Sequence, residues 1–135
     1  MEENNREIMI GKNRLYLDEN NILNMTLVGE LNEKLVINLI NAIQQLENMV
    51  EGKVSILTDI NKAGIQSVKA RKLLKEQSEK SEKAGKIAVY GLHPVARVIA
   101  SFFINITRKK DIHFFKSQKE ALIWLMEGKL KGIDS

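Results

Sequence analysis

The sequence contains no cysteine, a single proline and few aromatic residues, which make up 5% of its 135 residues. Without cysteine the chain has no disulfide framework, no thiolate metal ligand and no cysteine nucleophile, and a reducing cytoplasm is the expected compartment. One proline and eight glycines exclude collagen-like and proline-rich low-complexity chains. No apolar run is long enough to span a membrane, and the polar N-terminal segment predicts no secretion signal.

What remains is the composition of one ordinary globular domain. Hydrophobic residues account for 44% of the chain and charged residues for 28%, which is close to the averages for folded proteins. A chain of this length buries enough apolar surface for one core. We therefore expect a single domain over residues 13–128, preceded by a flexible arm or short strand in residues 1–12 and followed by a tail in residues 129–135.

The net charge of +4 is distributed unevenly. Up to Ile60 the chain has five basic and ten acidic residues, and from Asn61 onward it has 16 basic and seven acidic residues. One segment without any acid carries the basic residues Lys62, Lys69, Arg71, Lys72 and Lys75. Such a segment attracts anionic partners such as phosphate or an acidic protein surface, although a solvated helix face has the same composition. Because no aromatic residues alternate with the basic ones, the pattern does not predict nucleic-acid binding.

Strand and helix patterns alternate along most of the chain. Two apolar strands separated by the turn-forming segment Asp18–Asn21 predict a hairpin, and Ile8–Ile10 is a candidate for an additional short strand. The elements after the hairpin are a helix capped by Asn32, a strand at Val54–Asp59, a helix at about Ser67–Lys83, a strand at Lys86–Tyr90, a helix at about Pro94–Thr107, a strand at Ile112–Phe115 and, after a capping box at Ser117–Glu120, a helix at Ala121–Met126. This order predicts an α/β fold with a mixed, mostly parallel sheet of about five strands, an N-terminal hairpin and four helices.

Residues with catalytic potential are few. His93 and His113 lack the spacing of metal ligands, and no set of serine, histidine and acid has catalytic spacing, so we predict no metal, no cofactor and no enzymatic activity. Asp59 lies at the carboxyl end of one predicted strand and His93 just after the end of another, at the edge where α/β sheets bind ligands, and both are candidate ligand or partner contacts. Either residue could equally serve the local loop, and His113, placed among apolar neighbours, is expected to be structural.

The predicted helix between Val95 and Ile106 is apolar around nearly its whole circumference, which requires cover beyond one sheet face. That cover could come from the same domain, a second copy of the chain, an apolar or lipid-like ligand, or a lipid surface. The candidate contacts on this helix are Arg97, Ala100, Phe103 and Ile104. A symmetric homodimer is the simplest intermolecular cover. The basic cluster Arg108–Lys110 would suit a peripheral contact with an anionic membrane, but burial within the domain or a dimer is favoured.

Five segments, taken with the order of the elements, carry a family resemblance: Val54–Asp59, Ala70–Leu74, Lys86–Gly91, Pro94–Ala100 and Phe114–Leu125. Through them the chain resembles the SpoIIAA-like family, which is related to STAS domains (anti-sigma-factor antagonists) and is described alongside CRAL-TRIO lipid-transfer folds. The resemblance covers most of residues 15–128. It implies a STAS-like fold and a regulatory domain that binds another protein without catalysis. The alternative is a carrier or sensor of an apolar or lipid-like molecule.

The resemblance also implies a regulatory serine. STAS antagonists carry an Asp-Ser-Ser-Gly-like turn after the central strand, and phosphorylation of its serine by a partner kinase breaks their complexes. In this sequence the turn Ile65–Val68 places Ser67 nearest to the acceptor, while the acid, the second serine and the glycine are absent. A phosphate there would meet a helix N-terminus beside Lys69, Arg71 and Lys72, the candidate anion contacts. An ordinary N-cap explains the same serine without a kinase.

Overall fold

The order of strands and helices follows the predicted pattern. The computed structural model describes residues 6–91 and 112–134. Its elements are β1 (Glu7–Ile10), β2 (Asn13–Leu17), β3 (Leu23–Leu31), α1 (Glu33–Glu47), β4 (Val54–Gln66), α2 (Val68–Lys80), β5 (Ala84–Tyr90), β6 (Ile112–Phe115) and α3 (Gln118–Asp134). The described residues form three helices and one six-stranded sheet in the order β1 to β6. The predicted fold class is confirmed, with one strand more than expected, and the helix predicted at residues 94–107 lies outside the described residues.

The first three strands form an antiparallel meander that includes the expected hairpin. β1 pairs with β2, and β2 pairs with β3, in antiparallel registers. In the turn between β2 and β3, Asn21 has a φ of 58°, in the left-handed region that asparagine tolerates. Asp18 Oδ1 accepts hydrogen bonds from the backbone nitrogens of Asn20 at 2.8 Å and Ile22 at 3.0 Å. The turn prediction is therefore confirmed, and its hydrogen bonds are of the Asx type.

The strands β3 to β6 pair in parallel, and the central parts of β4 and β5 are covered on both faces. Ile56 and Val89 belong to the core cluster that contains residues of α1 and α2, whereas Leu57 and Ala88 belong to the cluster that contains residues of α3. Neighbouring residues of one strand thus point to opposite layers. Burial on both faces explains why the paired segments Ile56–Leu57 and Ile87–Val89 are continuously apolar in sequence.

The helices begin at the predicted caps. Asn32 Oδ1 accepts a hydrogen bond from the Leu35 backbone nitrogen at 2.8 Å, and Ser117 Oγ accepts one from Glu120 at 3.2 Å, so both caps are confirmed. α1 and α2 lie on one face of the sheet and α3 on the other. α3 runs to Asp134, past the predicted end at Met126, because helical hydrogen bonding continues after the apolar pattern used for the prediction has ended.

β4 is much longer than predicted. The strand passes through Asp59 and continues to Gln66, so the prediction that Asp59 ends the strand was wrong. Two register shifts between β3 and β4 each insert one extra residue into β4, and such bulges let a strand continue through polar, exposed positions. Asp59 is instead the last β4 residue that pairs with β5, opposite Tyr90.

The end of β4 is held tightly against β3. A Cβ atom at Gly64 would lie 3.0 Å from the Glu30 nitrogen and 3.0 Å from the Gly29 carbonyl carbon, so a larger residue would force the backbone to move. Immediately beyond the strand, the backbone nitrogen of Ser67 donates to the Leu31 carbonyl at 3.0 Å. These contacts fix the junction between β4 and α2 relative to β3.

Candidate protein-interaction surface

Ser67 lies at the junction of β4 and α2, where the carboxyl ends of β3 and β4 meet. Its backbone is extended, with φ −68° and ψ 160°, and its Oγ accepts a hydrogen bond from the Ala70 backbone nitrogen at 3.1 Å. The N-cap expectation is therefore confirmed. Ser67 is also solvent-exposed, so it lies on the surface of the domain and not beneath its neighbours.

Basic residues surround Ser67 in the first turns of α2, and the first turn of this helix contains no acid. The Lys69 side chain is 81% exposed, and its Nζ lies 3.9 Å from Glu33 Oε2 at the start of α1, a surface pair that contributes little to stability. Arg71 is half-buried, and its Nε donates to the Gln66 carbonyl at 3.4 Å. Together with exposed Lys72 and the positive end of the helix dipole, these side chains make the region electropositive.

Two apolar residues beside Ser67 are unusually exposed. Ile65, near the end of β4, has 66% of its surface exposed, and Val68, the first residue of α2, has 77%. In the described part of the chain β5 pairs with β4 only as far as Asp59, so the end of β4 has no neighbouring strand on that side. Sequence reasoning missed both residues as site candidates, because strand and helix patterns do not show which part of an element has no neighbouring element packed against it. We call Ile65, Ser67, Val68, Lys69, Arg71 and Lys72 the Ser67 surface.

Asp59 is placed within the sheet and is engaged by neighbouring side chains. Its Oδ1 accepts hydrogen bonds from the Asn61 backbone nitrogen at 2.9 Å and from Asn61 Nδ2 at 3.0 Å. Burial, together with the charge of Asp59 and a hydrogen bond from the Tyr90 hydroxyl to it, raises the pKa of Tyr90 to about 12. Asp59 thus supports the bulge in β4 and orders Tyr90, and its role as a ligand contact stays a prediction.

Of the remaining histidine and contact candidates, only His113 lies within residues 6–91 and 112–134. His113 lies on β6, and its ring centroid is 4.5 Å from that of Trp124 on α3, which agrees with the structural role expected for it. The other predicted contacts, together with the apolar helix that carries most of them, lie outside the described residues; they are His93, Arg97, Ala100, Phe103 and Ile104.

No group of three or more histidine, aspartate and glutamate side chains in residues 6–91 and 112–134 is arranged to hold a metal ion. In the same ranges, every helix is too short or too polar to cross a membrane.

The fold of the domain is similar to that of solved structures. One is an uncharacterized protein of the DUF3478 family with a SpoIIAA-like fold from Shewanella loihica; it is 16% identical, with a TM-score of 0.61 over 88% of this chain and 90% of that chain. Another is the anti-sigma factor antagonist SpoIIAA in its unphosphorylated form, which is 16% identical, with a TM-score of 0.59 over 86% of this chain and 98% of that chain. At this identity the similarity establishes the fold, and the domain has the SpoIIAA-like, STAS-type fold that the sequence resemblance implied.

Residues 15–129 match the model of a domain of unknown function, DUF7793, and the chain belongs to this family. No curated protein matches the chain.

Proposed function

We propose that the domain is a non-catalytic regulatory module that binds another protein through the Ser67 surface. The observation that carries the proposal is the combination of two exposed apolar residues, Ile65 and Val68, with exposed basic residues around a helix N-terminus. Apolar anchors within a charged or polar rim are the usual anatomy of a protein interface. Removing exposed apolar side chains of this kind from water is favourable, and binding of a partner would cover them.

The chemistry of the surface defines the partner it would suit. Lys69 and Lys72 are exposed and positively charged, so a partner with acidic side chains would be attracted to them and oriented by them. The same partner needs an apolar recess that accepts Ile65 and Val68. The association rate constant should therefore depend strongly on salt concentration, and the dissociation rate constant should depend on it less.

Phosphorylation of Ser67 is the regulatory step in this proposal. A phosphate carries a charge of about −2 near neutral pH, and at this position it would meet the α2 N-terminus and the side chains of Lys69 and Arg71. It would neutralise the charge that attracts an acidic partner, without removing the oxygen that caps the helix. The similar fold of SpoIIAA, an anti-sigma factor antagonist described in its unphosphorylated form, supports a switch of this type.

Affinity capture from extracts of the source organism tests the proposal. The tagged full chain is compared with the charge-reversed variant Lys69→Glu/Lys72→Glu and with the control Lys12→Glu/Lys53→Glu, which makes the same charge change at exposed sites on other parts of the domain. We expect wild type and control to retain one partner that the first variant loses. Equal recovery with all three proteins would contradict the proposal.

The alternative function, a carrier or sensor of an apolar or lipid-like molecule, was predicted from the helix at residues 95–106, outside the described residues. Native mass spectrometry of the protein purified from its own organism separates the two functions. A retained small-molecule mass would favour the carrier, and an apo mass with a co-purifying protein would favour the regulatory module. A homodimer covered through Ile104 also stays a prediction.

A further inference from the structure

The first strand, β1 (Glu7–Ile10), lies at an edge of the six-stranded sheet, and its partner among the described residues is β2. The two strands are joined by the two-residue turn Gly11-Lys12, so the residues that flank this turn exchange hydrogen bonds. Hydrogen-bonded and non-hydrogen-bonded pairs alternate along an antiparallel ladder. The backbone N–H and C=O groups of Ile8 and Ile10 therefore point to β2, and those of Met9 point to the outer edge.

The outer edge of β1 lacks several features that keep edge strands from pairing. Prolines, lysines and bulges usually serve this purpose, and β1 contains none of them. Its one charged side chain, Glu7, is bonded to Arg14 on β2. The side chain between the two isoleucines, Met9, is apolar, and 55% of this residue is exposed. An edge of this kind is a template for a further strand.

The apolar side chains of β1 match those of a second β1 strand. Ile8 and Ile10 are half-buried and pack against the core cluster, whereas Met9 lies on the opposite face of the sheet. In an antiparallel pair centred on Met9, the two Met9 residues oppose each other and Ile8 opposes Ile10, so apolar residues meet on both faces. This arrangement has two-fold symmetry, which is the commonest symmetry of soluble oligomers.

The charges at the two ends of β1 favour the same orientation. Glu7 begins the strand, and exposed Lys12 follows its end. Antiparallel pairing centred on Met9 places Glu7 of each copy opposite Gly11 of the other, next to Lys12, and so forms two pairs of opposite charge. Parallel pairing would instead align like charges. A second copy of the chain thus complements this edge in both charge and apolar pattern.

We propose that two copies of this chain associate through their β1 strands, which pair antiparallel around Met9 and join the two sheets into one. The contact differs from the one predicted through Ile104. It is also separate from the Ser67 surface, because β2 and β3 lie between β1 and β4. Loss of partner capture would leave this proposal intact, and a monomeric chain would still present the Ser67 surface.

Sedimentation velocity of the full chain, at concentrations from about 10 μM to 1 mM, tests the association. Met9→Lys places two like charges opposite each other and should weaken the dimer at least about tenfold. Ile123→Lys, the same kind of change at an exposed residue of α3, is the control and should dimerise like wild type. A wild type that stays monomeric over the whole range, or a dimer that Met9→Lys leaves equally strong, would overturn the proposal.

An exchange of charges tests the antiparallel orientation. Glu7→Lys and Lys12→Glu should each weaken the dimer roughly threefold or more, because each replaces the two attractive pairs with repulsive ones. The double variant Glu7→Lys/Lys12→Glu restores opposite charges and should dimerise more tightly than either single variant. A double variant weaker than both single variants would overturn the proposed pairing.

Amide hydrogen exchange, measured by NMR at a low and a high protein concentration, locates the contact on the backbone. The amides of Ile8 and Ile10 are bonded to β2 and should be protected at both concentrations. The Met9 amide points to the outer edge and should exchange at least about tenfold more slowly in the dimer than in the monomer. A dimer in which the Met9 amide exchanges as fast as in the monomer would overturn the proposal.

Discussion

The hydroxyl oxygen of Ser67 lies 3.1 Å from the backbone nitrogen of Ala70 and accepts its hydrogen bond. The same side chain that closes the first turn of α2 is therefore exposed beside Ile65 and Val68 on the Ser67 surface. Asparagine or aspartate at this position would still cap the helix. Substitutions of Ser67 can therefore change the charge at the surface without removing the cap that the fold needs.

The first prediction concerns the cap. Ser67→Ala removes the acceptor and should lower the free energy of unfolding by about 1 kcal/mol, whereas Ser67→Asn and Ser67→Asp should stay within a few tenths of wild type, because both side chains are good N-caps. Urea denaturation at neutral pH measures the three changes. A Ser67→Ala variant as stable as wild type would show that the hydrogen bond to Ala70 contributes nothing in solution.

The second prediction concerns the close approach of β4 to β3. Gly64→Ala should destabilise the domain by roughly 1–3 kcal/mol, because the new Cβ atom would sit 3.0 Å from backbone atoms of Gly29 and Glu30, which cannot rotate away. Gly85→Ala is the control, since its Cβ would find ordinary contacts at 3.5 Å. Thermal denaturation compares the two variants. Equal stability would mean that the end of β4 is not held against β3 as described.

The third prediction concerns Tyr90, whose pKa is raised to about 12 from 10.0 by burial and by Asp59. The folded state keeps the phenol protonated, so this group stabilises the fold fully below pH 10, and its contribution is lost as the pH rises from 10 to 12. The difference in unfolding free energy between wild type and Tyr90→Phe should therefore shrink over that range.

Urea denaturation at a series of pH values measures this difference. Because the chain has two tyrosines, the phenolate absorbance of Tyr90→Phe reports Tyr16 alone, and subtraction isolates Tyr90. A stability difference that stays constant from pH 10 to pH 12 would disprove the raised pKa.

The fourth prediction concerns the two-sided burial of the central strands. Leu57 is 2% and Val89 4% exposed, in clusters on opposite faces of the sheet. Leu57→Asp or Val89→Asp should cost on the order of 4 kcal/mol or more, because each buries an unpaired charge. Ile65→Asp on the exposed end of β4 is the control and should cost about 0.5 kcal/mol or less. Cooperative unfolding of both core variants near the wild-type midpoint would show that these strands are misplaced.

The features that sequence reasoning predicted correctly are those with local causes. Asn32, Ser67 and Ser117 cap helices because their own side chains bond to the next turn, and the hairpin turn follows from residues that tolerate a positive φ. The parallel sheet follows from the alternation of strands and helices. Such signals are contained in a few neighbouring residues.

The features it missed depend on contacts between distant segments. β4 continues past Asp59 because β3 supplies a pairing edge with two bulges, and the exposed residues Asn61 and Lys62 give no strand pattern. Ile65 and Val68 are apolar residues of the kind found in cores. Their exposure follows from the point at which β5 stops pairing with β4, at Asp59.

The most direct test of the Ser67 surface compares partner capture by wild type, Ser67→Asn and Ser67→Asp. Asparagine and aspartate have nearly the same shape and both cap α2, so the two variants differ in one negative charge at the position of the proposed phosphate. We predict that wild type and Ser67→Asn recover the same partner in similar amounts and that Ser67→Asp recovers roughly tenfold less, which corresponds to about 1.4 kcal/mol of binding free energy. Equal recovery by all three proteins, with their folds intact, would contradict the account.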